Sequence, residues 1–363
     1  MKKIGKKHHN WGKNRLKKFS YKLRLENSKK LNSKRKRQKQ NRDRIREKKL
    51  KLTGNTNQSH LAQIIKVKTI IAPESFGLAD HNHREALLSF IKKITKHLSN
   101  GHKVDICFSE TVKLLPCGTL WATAKIENLI ELYPKKLTCD YPEDSIVEQL
   151  FQHIGLLNKL GLTTKQVTIN ADSVRHWHYV EGTNTDDVSH FTQLFKAVAL
   201  PEELKSGLFD SMSEAVTNTV QHAYDLSHSK EWRMFAQKND GNLDVALCDL
   251  GIGIPRSLRQ KPELRDWLTS PVQTSKRNRD EHLLEVAIQS SRSKTKLPHR
   301  GKGLKEMLEH VKSGKVGGLR IFSGKGVFNY SASEKKETTR HFKTPIHGTL
   351  IEWQIPLETN HDT

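Results

Sequence analysis

The heptapeptide Asp249-Leu-Gly-Ile-Gly-Ile-Pro255 (DLGIGIP) decides how this chain is interpreted, because it places a carboxylate and two glycines directly after a predicted strand. Leu243, Val245 and Leu247 share one face of that strand by the two-residue period, and Asp249 has the same parity. The carboxylate is therefore expected to point towards helices that cover the sheet, where a buried acid requires a hydrogen-bond donor.

Gly251 and Gly253 leave the backbone after Asp249 without side chains. Bare backbone lets a flat ligand lie against the main chain, and a buried acceptor selects ligands that carry a matching N–H group. The residues alone leave two interpretations open. One is a site in which Asp249 accepts a hydrogen bond from the amino group of an adenine, and the other is an ordinary Asp-Gly turn.

A second motif lies upstream, in the stretch SEAVTNTVQHAYD at the end of a long predicted helix that reaches about Tyr224. Glu214, Asn218 and His222 are four residues apart and share one helical face. Asn218 offers a carbonyl oxygen to Mg²⁺, and Glu214 is a candidate general base. The alternative is a polar stripe that faces solvent.

Two further glycine-containing stretches follow downstream. In HRGKGLKEML, bare N–H groups at a helix start predict an anion site; its residues are Gly301, Lys302, Gly303 and Leu304. In HGTLIEWQIP, Thr349 enters a strand from which it would reach the adenine edge. The chain contains no G-x-x-x-x-G-K-[ST] pattern, so a Walker-type phosphate loop is not expected.

Taken in order, the four motifs resemble the GHKL (Bergerat-type) ATP-binding family of gyrase, MutL, histidine kinases and anti-sigma-factor serine kinases. The resemblance covers residues 187–357. It implies a two-layer α/β sandwich with ATP between helices and sheet, Mg²⁺ on Asn218 and adenine on Asp249. It places the phosphates at residues 301–304 and implies a mobile lid formed by the irregular basic stretch 270–300, which contains Lys276, Arg277, Arg279, Arg292, Lys294 and Lys296.

The chain before residue 166 has a different pattern. Strands and helices alternate over residues 60–165, which predicts a small α/β layer domain, whereas residues 166–360 carry helices first and strands later, as in α+β proteins. The layout of 60–165 is similar to a STAS domain. Antagonists of that family are phosphorylated on a serine before a glycine, but this chain has Cys117 before Gly118. A protein-docking role is therefore expected instead of a phosphorylation switch.

The N-terminal segment is strongly basic. Residues 1–53 hold 23 Lys and Arg against 3 acids, so +20 of the formal net charge of +24 lies there. Its low apolar content predicts a disordered arm over residues 1–55. Nucleic acid is the expected partner, bound through counterion release. A localisation signal and non-specific binding to polyanions are the alternatives.

Other features narrow the class of protein. Four widely spaced cysteines fit reduced thiols better than a zinc site or a disulfide scaffold, and the 19 histidines have no ligand partners at metal spacing. No apolar run approaches the length of a membrane span. The expectation is a cytoplasmic protein without membrane contact.

These observations predict a Mg²⁺- and ATP-binding GHKL-type protein with a regulatory protein partner. It is expected to be an ATPase or a serine/threonine-kinase-like phosphotransferase that acts as a switch. Two alternatives stay open, namely a nucleic-acid-associated ATPase whose arm grips DNA or RNA, and a nucleotide-sensing scaffold without turnover. The sequence also leaves open whether the protein forms a homodimer.

Overall fold

The computed structural model describes most of the chain after the basic segment, all of it within a compact unit, Ile64–Thr363. Residues 1–66, Gly301, Lys302 and most of the predicted lid lie outside the described residues. No helix among the described residues is both long and apolar enough to cross a membrane. The described residues are 67–163, 165, 174, 177–185, 187, 189–197, 200–224, 231–239, 241–260, 279–289, 303–314 and 317–357.

The first part of the unit is a small parallel α/β layer, as the alternating pattern predicted. Its three-stranded sheet has the order β1-β3-β5, and β2 pairs with β4. Asp80 and Asp144 cap two of its helices by accepting backbone N–H bonds. The elements are β1 Val67–Ile71, β2 Ser75–Phe76, α1 His81–Ser99, β3 Lys103–Cys107, β4 Lys113–Leu114, α2 Pro116–Leu132, β5 Leu137–Cys139, α3 Ser145–His153 and α4 Leu156–Lys159.

The second part contains a five-stranded antiparallel sheet in the order β6-β7-β8-β10-β9. Together the two parts form a mixed α/β fold. The boundary predicted near residue 165 falls between the two sheets. The elements are β6 Trp177–Gly182, α5 Ser189–Ala197, α6 Glu202–Asn218, a π-helical turn Thr219–Ala223, β7 Trp232–Asn239, β8 Asn242–Asp249, α7 Ile254–Arg259, α8 Asp280–Gln289, α9 Gly303–Lys312, β9 Gly318–Ser331 and β10 Lys336–Pro356.

The five-stranded sheet is covered on both faces. Leu243, Val245 and Leu247 of β8 pack in a core with helices α6, α8 and α9, as their parity predicted. Ala246 and Cys248 face the other way, into a core that includes α2 of the first part. The predicted two-layer sandwich therefore has a third layer, because a helix that is apolar around most of its circumference is stable only between two surfaces.

The last two strands differ from the prediction. The sequence pattern predicts separate strands at Leu319–Ser323 and Val327–Tyr330 and a polar turn over 331–341. Instead β9 is continuous and pairs with β10 from Lys336 onward, so the turn occupies only residues between the two strands. The ladder continues through mostly exposed polar residues, since backbone pairing needs no apolar side chains.

The predicted irregular lid over residues 270–300 is also wrong in its described part. Asp280–Gln289 is a helix, α8, whose Leu283, Leu284 and Ile288 are buried against the body of the protein. These apolar residues lie on one helical face, and the surrounding basic residues concealed that pattern. The remainder of the predicted lid, apart from Arg279, lies outside the described residues.

A buried ionic cluster joins α2 to the five-stranded sheet. The carboxylate of Glu127, only 3% exposed, accepts hydrogen bonds from Arg233 Nε at 2.7 Å and Lys159 Nζ at 2.7 Å. The hydroxyl of Tyr179 donates to the same carboxylate at 2.9 Å. Charges buried in this way are tolerated only when each keeps its partner, so this cluster sets the position of α2 on the sheet.

Replacing Glu127 with Gln is expected to lower the free energy of unfolding by about 3 kcal/mol, because Arg233 would lose its buried counter-charge and keep only the more exposed Glu231, at 2.9 Å. Glu181→Gln is the matched control, since Glu181 contacts Lys159 at 3.5 Å but is 58% exposed, and exposed pairs contribute about 1 kcal/mol or less. Urea denaturation of the three proteins measures both changes. Equal losses in the two variants would contradict the role assigned to the cluster.

Candidate functional site

Asp249 ends β8 on the side of the sheet that the helices cover. Its strand neighbour Trp232 belongs to the core beneath those helices, and Asp249 itself is only 4% exposed. Its Oδ1 accepts a hydrogen bond from Gly251 N at 2.8 Å. The inward orientation predicted from the strand parity is therefore observed.

The environment of Asp249 favours its neutral form. Burial raises the pKa of this carboxyl group from 3.8 to about 7, and hydrogen bonds from the backbone N–H groups of Gly251 and Thr349 oppose the rise. No cation among the described residues lies within ion-pair distance of it. A ligand that donates a hydrogen bond to this group would favour its ionised form and so lower the pKa again.

Two hydroxyl groups stand beside Asp249 on the neighbouring strands. Thr349 of β10 pairs with Ser323 of β9, and both side chains are buried. Ser323 Oγ donates to the carbonyl oxygen of Gly348 at 3.0 Å and lies 3.2 Å from Thr349 Oγ1. Three strands therefore present polar groups at one place on the helix-covered face.

Thr349 was predicted as a site residue, whereas sequence reasoning missed Ser323. Ser323 has the parity of Leu319 and Ile321, both of which lie in the core below the helices. The sequence did contain a signal for Ser323. Its hydroxyl follows two inward-facing apolar residues on the same strand, and the two-residue period therefore places it on the buried face.

The glycines after Asp249 accommodate the protein's own atoms. A methyl group on Gly251 would overlap the carbonyl oxygen of Ala223. Gly253 has a φ of +78° and would bring a methyl group to 2.8 Å from Ser323 Oγ. The expectation that these positions are bare for a flat ligand therefore needs correction, since backbone and a hydroxyl already fill the space beside them.

Tyr224 holds the same segment from the other end of the π-helical turn. Its hydroxyl accepts from Leu250 N at 2.9 Å and donates to the carbonyl oxygen of Glu231 at 2.8 Å. Ile252 N also donates to Ala223 O at 2.8 Å. The N–H groups of Leu250 and Ile252, together with the close approach at Gly251, therefore hold the start of the DLGIGIP segment against the turn that follows α6.

Glu214 and Asn218 lie one turn apart on α6, as predicted, and contact each other. Asn218 Nδ2 donates to Glu214 Oε1 at 3.2 Å, which leaves Asn218 Oδ1 as the atom suited to a metal ion. Burial and the nearby charge of Glu306 raise the pKa of Glu214. The predicted continuous helix is wrong beyond Asn218, where the π-helical turn begins and changes the spacing to His222.

The start of α9 meets the same pair of residues. A methyl group on Gly303 would overlap the carboxylate of Glu214, so the Glu214 side chain packs directly against the first residue of α9. Leu304 follows in the first turn and packs against the helical core, while Gly301 and Lys302 lie outside the described residues. Four N–H groups at a helix start have no intrahelical partner, which makes this end of α9 suitable for an anion beside Glu214.

A cleft of about 630 Å³ opens on the opposite side of the DLGIGIP segment, next to α2, and is called the α2 cleft below. Gly251 and Tyr224 contribute to its wall, but Asp249, Glu214, Asn218 and Thr349 do not. Of the described residues predicted for the site, Gly251 alone lines this cleft.

The described residues were also compared with the ligand sets that proteins use to bind metal ions. Within these residues no group of three His, Cys, Asp or Glu side chains could hold a metal ion. A Mg²⁺ ion on Asn218 would have to take its remaining ligands from phosphates and water, as Mg²⁺ commonly does. Comparison of the chain with models of protein families and with curated proteins found no match.

The raised pKa of Asp249 predicts a pH-dependent stability. The folded protein holds this proton up to about pH 7, whereas the unfolded chain loses it near 3.8. The free energy of unfolding should therefore fall as pH rises through that window and level off above it, because the folded state binds more protons there. Asp249→Asn removes this contribution, so the variant gains stability relative to the native protein, by a few kcal/mol, between pH 4 and pH 7.5.

Urea denaturation at four pH values between pH 4 and pH 7.5 measures the free energy of unfolding of Asp249→Asn and of the native protein. The contributions of the other titrating groups cancel in the difference between the two. Asp244→Asn, on the opposite face of β8, is the control for the loss of a carboxylate from the same strand. Parallel profiles for Asp249→Asn and the native protein would show that Asp249 titrates normally.

Proposed function

We propose that this chain binds Mg²⁺ and ATP in a GHKL-type site and uses the nucleotide as a regulatory switch. One observation carries the proposal: a buried carboxylate without a counter-charge faces the helical layer in which Glu214 and Asn218 hydrogen-bond to each other. The finer fold assignment, a GHKL-type sandwich after a STAS-like layer, belongs to the same proposal. The antiparallel sheet under α6, α8 and α9 supports it.

Adenine would be selected by Asp249 with help from Thr349. Adenine offers an amino donor where guanine offers a carbonyl acceptor. The ionised carboxylate of Asp249 would accept from the amino group, and guanine would leave this ionised group and a carbonyl oxygen facing each other, a large penalty inside a buried site. Ser323 supports this arrangement by holding Thr349 Oγ1 at 3.2 Å.

The phosphates would lie at the start of α9. Gly303 and Leu304 supply N–H groups there, and Gly301 and Lys302 precede them in the sequence. Asn218 would bind Mg²⁺, which when bound neutralises phosphate charge. Glu214 lies between Asn218 and Gly303, in the position from which a general base would take a proton from water or from an acceptor hydroxyl.

The STAS-like layer would report the nucleotide state to a regulatory protein partner. Its helix α2 contacts the five-stranded sheet directly, and Trp121 Nε1 donates to the carbonyl oxygen of His347 at 3.2 Å. His347 lies two residues from Thr349 on β10. Cys117, where the family's phosphorylated serine would stand, is buried at the start of α2, which favours docking over phosphorylation at this position.

ATP binding and turnover test the proposal. Asp249→Asn is expected to weaken Mg²⁺·ATP binding about 10- to 100-fold, because a hydrogen bond to a charged acceptor contributes about 1.5–3 kcal/mol. Glu214→Gln should keep binding and lower turnover, whether hydrolysis or transfer, about 10²- to 10⁴-fold. Calorimetry with ATP and GTP and a phosphate-release or protein-phosphorylation assay measure the two effects.

Asp244→Asn is the matched control, since it removes a carboxylate from the opposite face of β8, and it should bind ATP like the native protein. ATP binding that is equally strong in Asp249→Asn would overturn the proposal. Binding without turnover in the native protein would support the nucleotide-sensing alternative instead.

The charge of the N-terminal segment favours a second candidate function. Residues 1–53 carry +20 of the total of +24, as expected for a segment that binds a polyanion. We propose that nucleic acid bound there stimulates ATP turnover. Deleting residues 1–53 should abolish the stimulation of ATP turnover by DNA or RNA and leave the unstimulated rate of turnover unchanged. Stimulation that survives the deletion would overturn this second candidate function.

A further inference from the structure

The α2 cleft has a chemistry of its own, apart from the nucleotide site. It is bounded by α2 on one side and by α7, the DLGIGIP segment and β10 on the other. A volume of about 630 Å³ is in the usual range for sites that bind small molecules. Irregular pairing of β10 with β9 between His341 and Thr349 places His347 at its wall, an effect typical of β-bulges.

One end of the cleft is cationic. Lys125 of α2, Arg256 of α7 and His347 of β10 line it together. Partial burial and then the charges of Lys125 and Arg256 lower the pKa of His347, and burial lowers the pKa of Lys125. Among the described residues, neither Lys125 nor Arg256 has a carboxylate within ion-pair distance. Two cations that share one end of a cleft with an imidazole N–H donor favour an anion there.

The other end of the cleft carries acceptors. Asn128 and Glu131 follow Lys125 at steps of three residues along α2, and both line the cleft with Glu231. Six residues of helix span about 9 Å, which separates Glu131 from Lys125. Burial and then the nearby charge of Glu231 raise the pKa of Glu131. This end suits hydroxyl donors and disfavours a second anionic group.

We propose that the α2 cleft binds a small phosphorylated polyol, with its phosphate at Lys125, Arg256 and His347 and its hydroxyl groups towards Asn128 and Glu131. A phosphate fits the cationic end because its several oxygens can accept from three donors at once. A neutral sugar would leave Lys125 and Arg256 without a counter-charge, and a ligand anionic at both ends would meet Glu131. The site is independent of the proposed nucleotide site, which lies across the DLGIGIP segment.

Calorimetry on the full chain with ribose 5-phosphate, inorganic phosphate and ribose tests the proposal. The native protein should bind ribose 5-phosphate more tightly than inorganic phosphate and should not bind ribose. Lys125→Gln and Arg256→Gln should each weaken ribose 5-phosphate binding at least tenfold. Lys343→Gln, an exposed residue of β10 outside the cleft, is the control, and all variants keep residues 1–53, so non-specific binding there cancels.

Glu131→Gln separates the two ends of the site, since it should weaken ribose 5-phosphate binding and leave inorganic phosphate binding unchanged. Absence of ribose 5-phosphate binding to the native protein would overturn the proposal. Binding that Lys125→Gln and Arg256→Gln leave unchanged but Asp249→Asn removes would also overturn it, because the ligand would then occupy the nucleotide site. ATP binding measured on the same variants should be unaffected by Lys125→Gln, which distinguishes the failure of one site from that of the other.

Discussion

The close approach of the Gly251 backbone to the carbonyl oxygen of Ala223 is the constraint on which both sides of the functional region depend. It brings the end of β8 against the π-helical turn after α6, and Tyr224 and Ile252 N complete the contact. Asp249 can then be buried towards the helices while Leu250 and Ile252 border the α2 cleft. A side chain at residue 251 would separate these elements, since the overlap is with backbone and not with a movable side chain.

Helix α2 is the second shared element. It belongs to the parallel layer by sequence order but packs on the five-stranded sheet, and it supplies Glu127 to the buried ionic cluster and Lys125 to the cleft. A change in the position of α2 would therefore alter its contacts with β7 and β10, although α2 itself does not contact the proposed nucleotide. Such coupling through packed, hydrogen-bonded elements needs a second arrangement of α2 before it amounts to a switch.

Features set by local periodicity could be predicted from the sequence, and features set by contacts between distant residues could not. The inward orientation of Asp249 and the pairing of Glu214 with Asn218 follow from strand and helix periods. The partners of Gly251 and Gly303 lie 28 and 89 residues away in the chain, so nothing in the motifs identified what fills the space beside them. Ser323 was missed because it is brought beside Thr349 only by the pairing of β9 with β10, which the sequence of β9 alone does not reveal.

The strand order has a consequence for how the protein is made. β10 lies between β8 and β9, so the sheet remains in two pieces until the last of the described strands has been synthesised. Until then α2 and the inner face of β8 have no complete surface to cover, and an unpaired edge of β8 is open to other chains. Domains generally fold as units during synthesis. In this protein the five-stranded sheet can be completed only after β10 has been synthesised. A nascent chain of this protein therefore exposes the free edge of β8 during the interval between the synthesis of β8 and that of β10.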